Sequence, residues 1–208
     1  MNIDRAINKQ KRSYKIFMLF MSFIFFMLPA VFAMSGKFNL FYMIYLMIIE
    51  VLIFLAVIIK INNESLKFES DGYKLKIIIG ISRHKINVIC NKVILVHVEK
   101  YPYNNRESGD FKIIVLATSQ FRSSRMIPVN LEFLKRHPCT AFNYNRIKII
   151  YPEQKFYYTI IKRAGIKKYP LLDVIYRNCV HAHFTEETID EIKYYRENSE
   201  KYNFTYRE

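Results

Sequence analysis

The sequence predicts an α+β membrane protein: an N-terminal two-helix transmembrane hairpin, then a small antiparallel β-barrel or sandwich with closing C-terminal helices. Three observations predict it. The apolar residues of this 208-residue chain pile up before Ile61. A period-two alternation follows, and helical spacing with capping residues returns towards the C-terminus.

From Ile16 to Met34 the only polar side chain is Ser22, and from Phe38 to Ile59 the only acidic or basic one is Glu50. Runs of about 20 residues, rising about 1.5 Å each, match a hydrocarbon layer about 30 Å thick. Residues 16–34 and 38–61 are therefore expected to span, joined across Ser35-Gly36-Lys37. A cleavable signal peptide is the rival reading of the first run, since Val31-Phe32-Ala33 offers small residues at a cleavage position. A second span so soon afterwards argues against it. Lys and Arg are retained on the cytoplasmic side. Arg5, Lys9, Lys11, Arg12 and Lys15 precede the first span, Lys60 and Lys67 follow the second, and the turn holds only Lys37. Both termini, with the basic segment 1–15, are expected to be cytoplasmic at the cell membrane. The three cysteines, Cys90, Cys139 and Cys179, are widely spaced, as suits reduced thiols on that side.

After Asn62-Asn63-Glu64-Ser65 a β-rich domain is expected over 62–165. Leu66–Glu69 opens it. Tyr73, Leu75, Ile77 and Ile79 alternate with Lys74 and Lys76, and Gly80 marks a turn. Lys85–Ile89, Val93–Glu99, Phe111–Thr118, Arg125–Val129 and Arg146–Tyr151 are rich in β-branched and aromatic residues and read as strands. Tyr103–Asp110 reads as a hairpin loop. Asn130–Arg136 reads as a short helix. Pro152 followed by Phe156, Ile160, Ile161 and Ala164, with Gly165 as a cap, reads as a closing helix. Residues 166–208 are expected to form a helical tail, with helices over Pro170–Cys179 and from Thr185, whose Glu186 and Glu187 suit the first turn.

This order of elements resembles the bacterial membrane-anchored PH-like proteins, the YdbS-like family. The resemblance is carried by Leu66-Lys67-Phe68, by Tyr73 to Gly80, by Arg83–Asn87 leading into Val93-Ile94-Leu95-Val96, and by Arg146–Ala164. A YcxB-like domain would account for the strands nearly as well. Either resemblance implies a non-catalytic accessory module and supplies no functional residues to transfer.

No glycine loop for phosphate, no G-x-S-x-G and no H-E-x-x-H occurs in the sequence. No cofactor is expected. Cys179-Val180-His181-Ala182-His183 is the densest set of metal-ligand types, with His137-Pro138-Cys139 elsewhere, but two further zinc ligands would have to come from a distance. Glu50 is the most unusual residue, because a mid-span carboxylate costs about 2.5–3.5 kcal/mol and often serves a function. Its candidate partners are Ser22, Tyr45 or a polar group on another subunit.

The formal charge is +14, with both the hairpin segment and the domain basic. Lys74, Lys76, Arg83, Lys85, Lys162, Arg163, Lys167 and Lys168 form a candidate patch for anionic lipid or a partner. With an anchor present, nucleic acid is the more distant anion. The expected function is a membrane-anchored binding or scaffold module with a protein partner, lipid or a homo-oligomer. The alternatives are a small oligomeric transport or pore-forming subunit using Glu50, and an enzyme whose site the sequence does not display.

Overall fold

The computed structural model describes residues 2–36, 39–81, 85–100, 110–120 and 125–199. The helix α1 (Ile3–Ser35) and the helix α2 (Leu40–Glu64) form the hairpin. Both are long and apolar enough to cross a membrane. At about 1.5 Å per residue, α1 is about 50 Å long, well beyond one hydrocarbon layer. The excess is at its N-terminus. Asn2 caps the helix by accepting from the Arg5 N–H at 3.2 Å, and Ile3 and Ile7 are buried among residues of the following domain. The basic segment 1–15 is thus a core element as well as a charged flank. Full burial of one isoleucine is worth about 1.5–3 kcal/mol.

The domain holds two sheets. The first is an antiparallel meander of β1 (Leu66–Ser70), β2 (Lys74–Ile79) and β3 (Lys85–Ile89). Its alternation follows the sequence: Leu75, Ile77, Ile79, Ile86 and Val88 are buried, and their neighbours are not. A short 3-10 turn at Cys90–Lys92 leads into β4 (Val93–Lys100). The second sheet adds β5 (Phe111–Ala117), β6 (Ile127–Pro128), β7 (Tyr157–Ile161) and β8 (His183–Phe184), in the spatial order β6-β7-β5-β4-β8. All its pairs are antiparallel except β4 with β8. Neither sheet closes on itself, so the expected barrel gives way to two open sheets that share one core.

The second sheet is buried on both faces, which explains the near-continuous apolar runs in β4 and β5. One face joins the main core with the first sheet, α5 (Lys168–Asn178) and α6 (Glu186–Asn198). The other face, with Leu95, Ile114 and Leu116, is covered from α3 (Leu131–Arg136) and α4 (Pro138–Ile150), where Phe133 stacks on Tyr158 with centroids 3.8 Å apart.

Two elements differ from the sequence expectation, and they are exchanged. Arg146–Tyr151 is the end of α4 rather than a strand. Pro138 starts that helix, and Tyr144 and Ile147, three residues apart, reach the same sheet face. Pro152–Ala164 is not a helix: Pro152 lies in a turn and Tyr157–Ile161 is β7, inserted between β5 and β6. Its residues fit either period, and the open sheet edges decide. Gly165 begins a 3-10 turn instead of ending a helix.

The C-terminal segment is also not an appendage. Thr188, Ile192 and Tyr195 of α6 are buried, and the Ser199 hydroxyl donates to Asp4 at the start of α1 at 2.8 Å. The Tyr103–Asp110 loop, apart from Asp110, lies outside the described residues, as does 200–208.

Candidate functional site

The hairpin and the domain meet at a junction built from both helices. Gly80 ends β2 with φ +73°, and an added Cβ would fall 2.0 Å from Asn62 Oδ1 and 3.2 Å from the Asn62 carbonyl oxygen. The Ala164 N–H donates to the Asn63 carbonyl at 2.9 Å. Gln10 on α1 donates to the Ala164 carbonyl at 3.5 Å. Lys167 donates to the Glu64 carbonyl at 3.0 Å and lies over the Tyr14 ring. Burial pushes the Lys167 ammonium below the usual lysine range. Lys60 pairs with Glu64 at 2.7 Å.

This junction divides the sequence-derived basic patch. Lys162 and Arg163 are exposed beside Ala164, and exposed Lys85 pairs in register with Ile78, two residues before Gly80. Exposed Ile81 follows Gly80. With exposed Lys11, Arg12 and Lys15 on α1, these form a basic rim around the point where the hairpin leaves the domain. Lys74 and Lys76 lie further along β2, and Lys76 is paired with Glu69 at 2.9 Å. Arg83 lies outside the described residues.

Lys168 does not belong to any surface patch, because it is wholly buried. Its ammonium donates to Asp110, to the Phe111 carbonyl and to the Lys162 carbonyl. Burial lowers its pKa, opposed by Asp110. It is a structural cation, and a doublet of lysines in sequence does not reveal which one turns inward.

Glu50 is half-buried on α2, while Ser22 and Tyr45 are exposed. The three do not come together. Lys60 over the Phe17 ring fixes the antiparallel register of the hairpin, which sets Ser22 about five residues, or about 7 Å, along the axis from Glu50. Tyr45 precedes Glu50 by five residues and so projects from a different side of α2.

The metal candidates separate as well. Cys179 is buried and its thiol meets that of Cys90, with burial pushing both thiols up, whereas His181 and His183 are exposed. Among the described residues no three of His, Cys, Asp and Glu converge as metal ligands.

One polar cluster was not legible as a unit in the sequence. His97 and His137 are both buried. His97 Nδ1 meets Thr185 Oγ1 at 2.9 Å and lies 3.8 Å from Glu187, and His137 Nδ1 donates to Glu99 at 2.8 Å. Lys112 approaches the same Glu99 oxygen at 3.4 Å. Desolvation holds the His97 pKa below its usual range, against the pull of Glu187 and Glu99. The cluster fastens α6 and α3–α4 to β4. An apolar-polar alternation inside a buried strand was the available signal, since His97 stands between Val96 and Val98.

The far end of the domain, where Tyr157, Pro128 and Ala117 begin or end their strands, carries exposed large apolar residues: Ile127, Leu131, Ile149, Ile150 and Tyr151, with Phe142 on the outer face of α4. Lys135, Arg146 and Lys155, on α3, on α4 and just before β7, are exposed as well.

No known protein family, curated protein or solved structure matches this chain.

Proposed function

We propose that this chain is a membrane-anchored binding module that works without catalysis, with its α1–α2 hairpin in the cell membrane and its domain on the cytoplasmic side. The observation that carries this reading is the continuity of α1. One uninterrupted helix starts in the domain core at Ile3 and ends at Ser35, so the anchor and the domain cannot turn independently. A fixed orientation serves presentation of a surface.

The two ends of the domain then have separate uses. The basic rim of Lys11, Arg12, Lys15, Lys85, Lys162 and Arg163, with Ile81, suits an anionic leaflet, where each cation contributes about 1 kcal/mol. The far end suits a protein. Its apolar residues, with Arg146 one helical turn from Ile149 and Ile150, fit a segment that combines acidic and apolar side chains, and a second copy would bring like charge to the same place.

The test is membrane cross-linking and mild-detergent co-purification of the full chain, comparing wild type with I149D and with K162E/R163E. A stoichiometric protein retained by K162E/R163E and lost from I149D is the expected result. A partner indifferent to I149D overturns the far-end assignment. Equal energy transfer from a Cys139 label to a headgroup dye in the wild type and in K162E/R163E, both reconstituted in anionic vesicles, overturns the rim.

A further inference from the structure

Glu50 has no hydrogen-bond or ion-pair partner among the described residues, and its oxygens are not sealed off: the buried unpartnered side-chain atoms are those of Gln10, Glu64 and Thr140. A carboxyl so placed, in a helix apolar enough to span a membrane, has neither water nor protein to satisfy it.

Two stripes run along α2. Leu46, Ile49, Ile53, Ala56 and Lys60 are half-buried and repeat at alternating spacings of three and four, the seam that packs on α1. A second seam with the same spacing is formed by Met43, Met47, Glu50, Phe54 and Val57. It lies about 100° around the helix, at about 100° per residue. On it Met43, Met47 and Phe54 are 54%, 68% and 60% exposed, and nothing in the hairpin covers them. The carboxyl is the only polar group of this seam, on a face of α2 that is otherwise exposed and apolar.

We infer that this seam is where two copies of the chain associate within the bilayer, α2 against α2, with Glu50 of one copy hydrogen-bonded to Glu50 of the other. The inference rests on the reading that the hairpin spans the membrane. Three physical steps lead to it. Hydrocarbon disfavours the charged form of any carboxyl, so the neutral acid is the form a partner inside the bilayer would meet. A protonated carboxyl carries one O–H donor and a free acceptor oxygen, which makes it complementary to itself. Copies inserted the same way are related by an axis along the membrane normal, so each residue meets its counterpart at its own depth. A partner offering a cation is the alternative, but neither apolar run of this chain contains Lys or Arg. Methionine at two seam positions adapts to a self-contact more readily than a branched side chain.

The experiment is energy transfer between full-length chains labelled at Cys139, the exposed cysteine of the three, in phosphatidylcholine–phosphatidylglycerol vesicles over a range of protein-to-lipid ratios. Wild type and Glu50→Gln, which keeps a donor and an acceptor, are expected to associate. Glu50→Leu is expected to weaken association about tenfold, the loss of an interhelical polar pair of about 1–2 kcal/mol. Leucine favours insertion, so a loss in that variant is not failure to enter the bilayer. Equal transfer in Glu50→Leu overturns the role of the carboxyl, and absence of transfer in wild type overturns the dimer. Release of the wild-type chain by alkaline carbonate washing overturns the membrane reading itself, whereas a chain that stays in the bilayer without transfer overturns only the association.

Discussion

Gly80 and Asn62 touch so closely that no side chain fits between them, which makes the end of β2 and the end of α2 a single unit. The glycine is needed twice over, for its φ of +73° and for this contact. Gly80→Ala is expected to cost about 1–2 kcal/mol from the left-handed conformation alone, before the Asn62 side chain is displaced. Thermal unfolding of the detergent-solubilised protein measures it. Asn62→Gly combined with Gly80→Ala removes the contact with the side chain but not the backbone strain, so it is expected to restore stability only in part.

Several elements were legible because their signals are local. Gly80 closing an alternating run, the apolar runs flanking Gly36, and Thr185 before Glu186-Glu187 each state their structure within a few residues. The exchange of helix and strand between Arg146 and Ala164 was not legible, because Ile147–Ile150 and Tyr157–Ile161 are alike in β-branched and aromatic content. Only the sheet edge offered by β5 and the face offered to α4 distinguish them. Nor could the sequence separate Lys167 from Lys168, or place Ile3 and Ile7 in a core more than 60 residues away along the chain.

Lys168 gives a test of the buried cation. Removing it leaves half-buried Asp110 and the Phe111 and Lys162 carbonyls without the ammonium that donates to them. Lys168→Ala is expected to destabilise by about 3–5 kcal/mol, the usual cost of breaking one side of a buried ion pair. Lys168→Met, which retains the stem beside Phe111, is expected to cost less, and Lys168→Met with Asp110→Asn less again. Denaturant unfolding of the three variants checks the order. If Ala and Met prove equal, packing of the stem contributes nothing.

The cysteines differ in reactivity for a stated reason. Cys139 is exposed, while Cys90 and Cys179 are buried against each other with thiols that burial keeps protonated. A thiolate is the reactive form. Maleimide is therefore expected to modify one cysteine in the native protein and all three after denaturation, read by intact-mass spectrometry. Native modification at Cys179 would mean that α5 opens readily from the first sheet.

His97 makes stability depend on pH in a direction that its surroundings fix. Burial depresses its pKa from the ordinary value of 6.5. Glu187 at 3.8 Å and Glu99 act the other way, while His137 adds to the depression. Below about 6.5 the unfolded chain takes up a proton at this position that the folded chain refuses. The unfolded state then binds more protons, so stability falls as the pH drops from 6.5 towards the folded-state pKa and is fully present above 6.5. Each pKa unit of depression corresponds to about 1.4 kcal/mol. Unfolding midpoints measured at pH 7.5 and 5.5 are expected to fall in the wild type and to fall less in His97→Gln, which retains a donor towards Thr185 without a titrating ring. A fall of equal size in His97→Gln and wild type would place the acid sensitivity elsewhere in the chain.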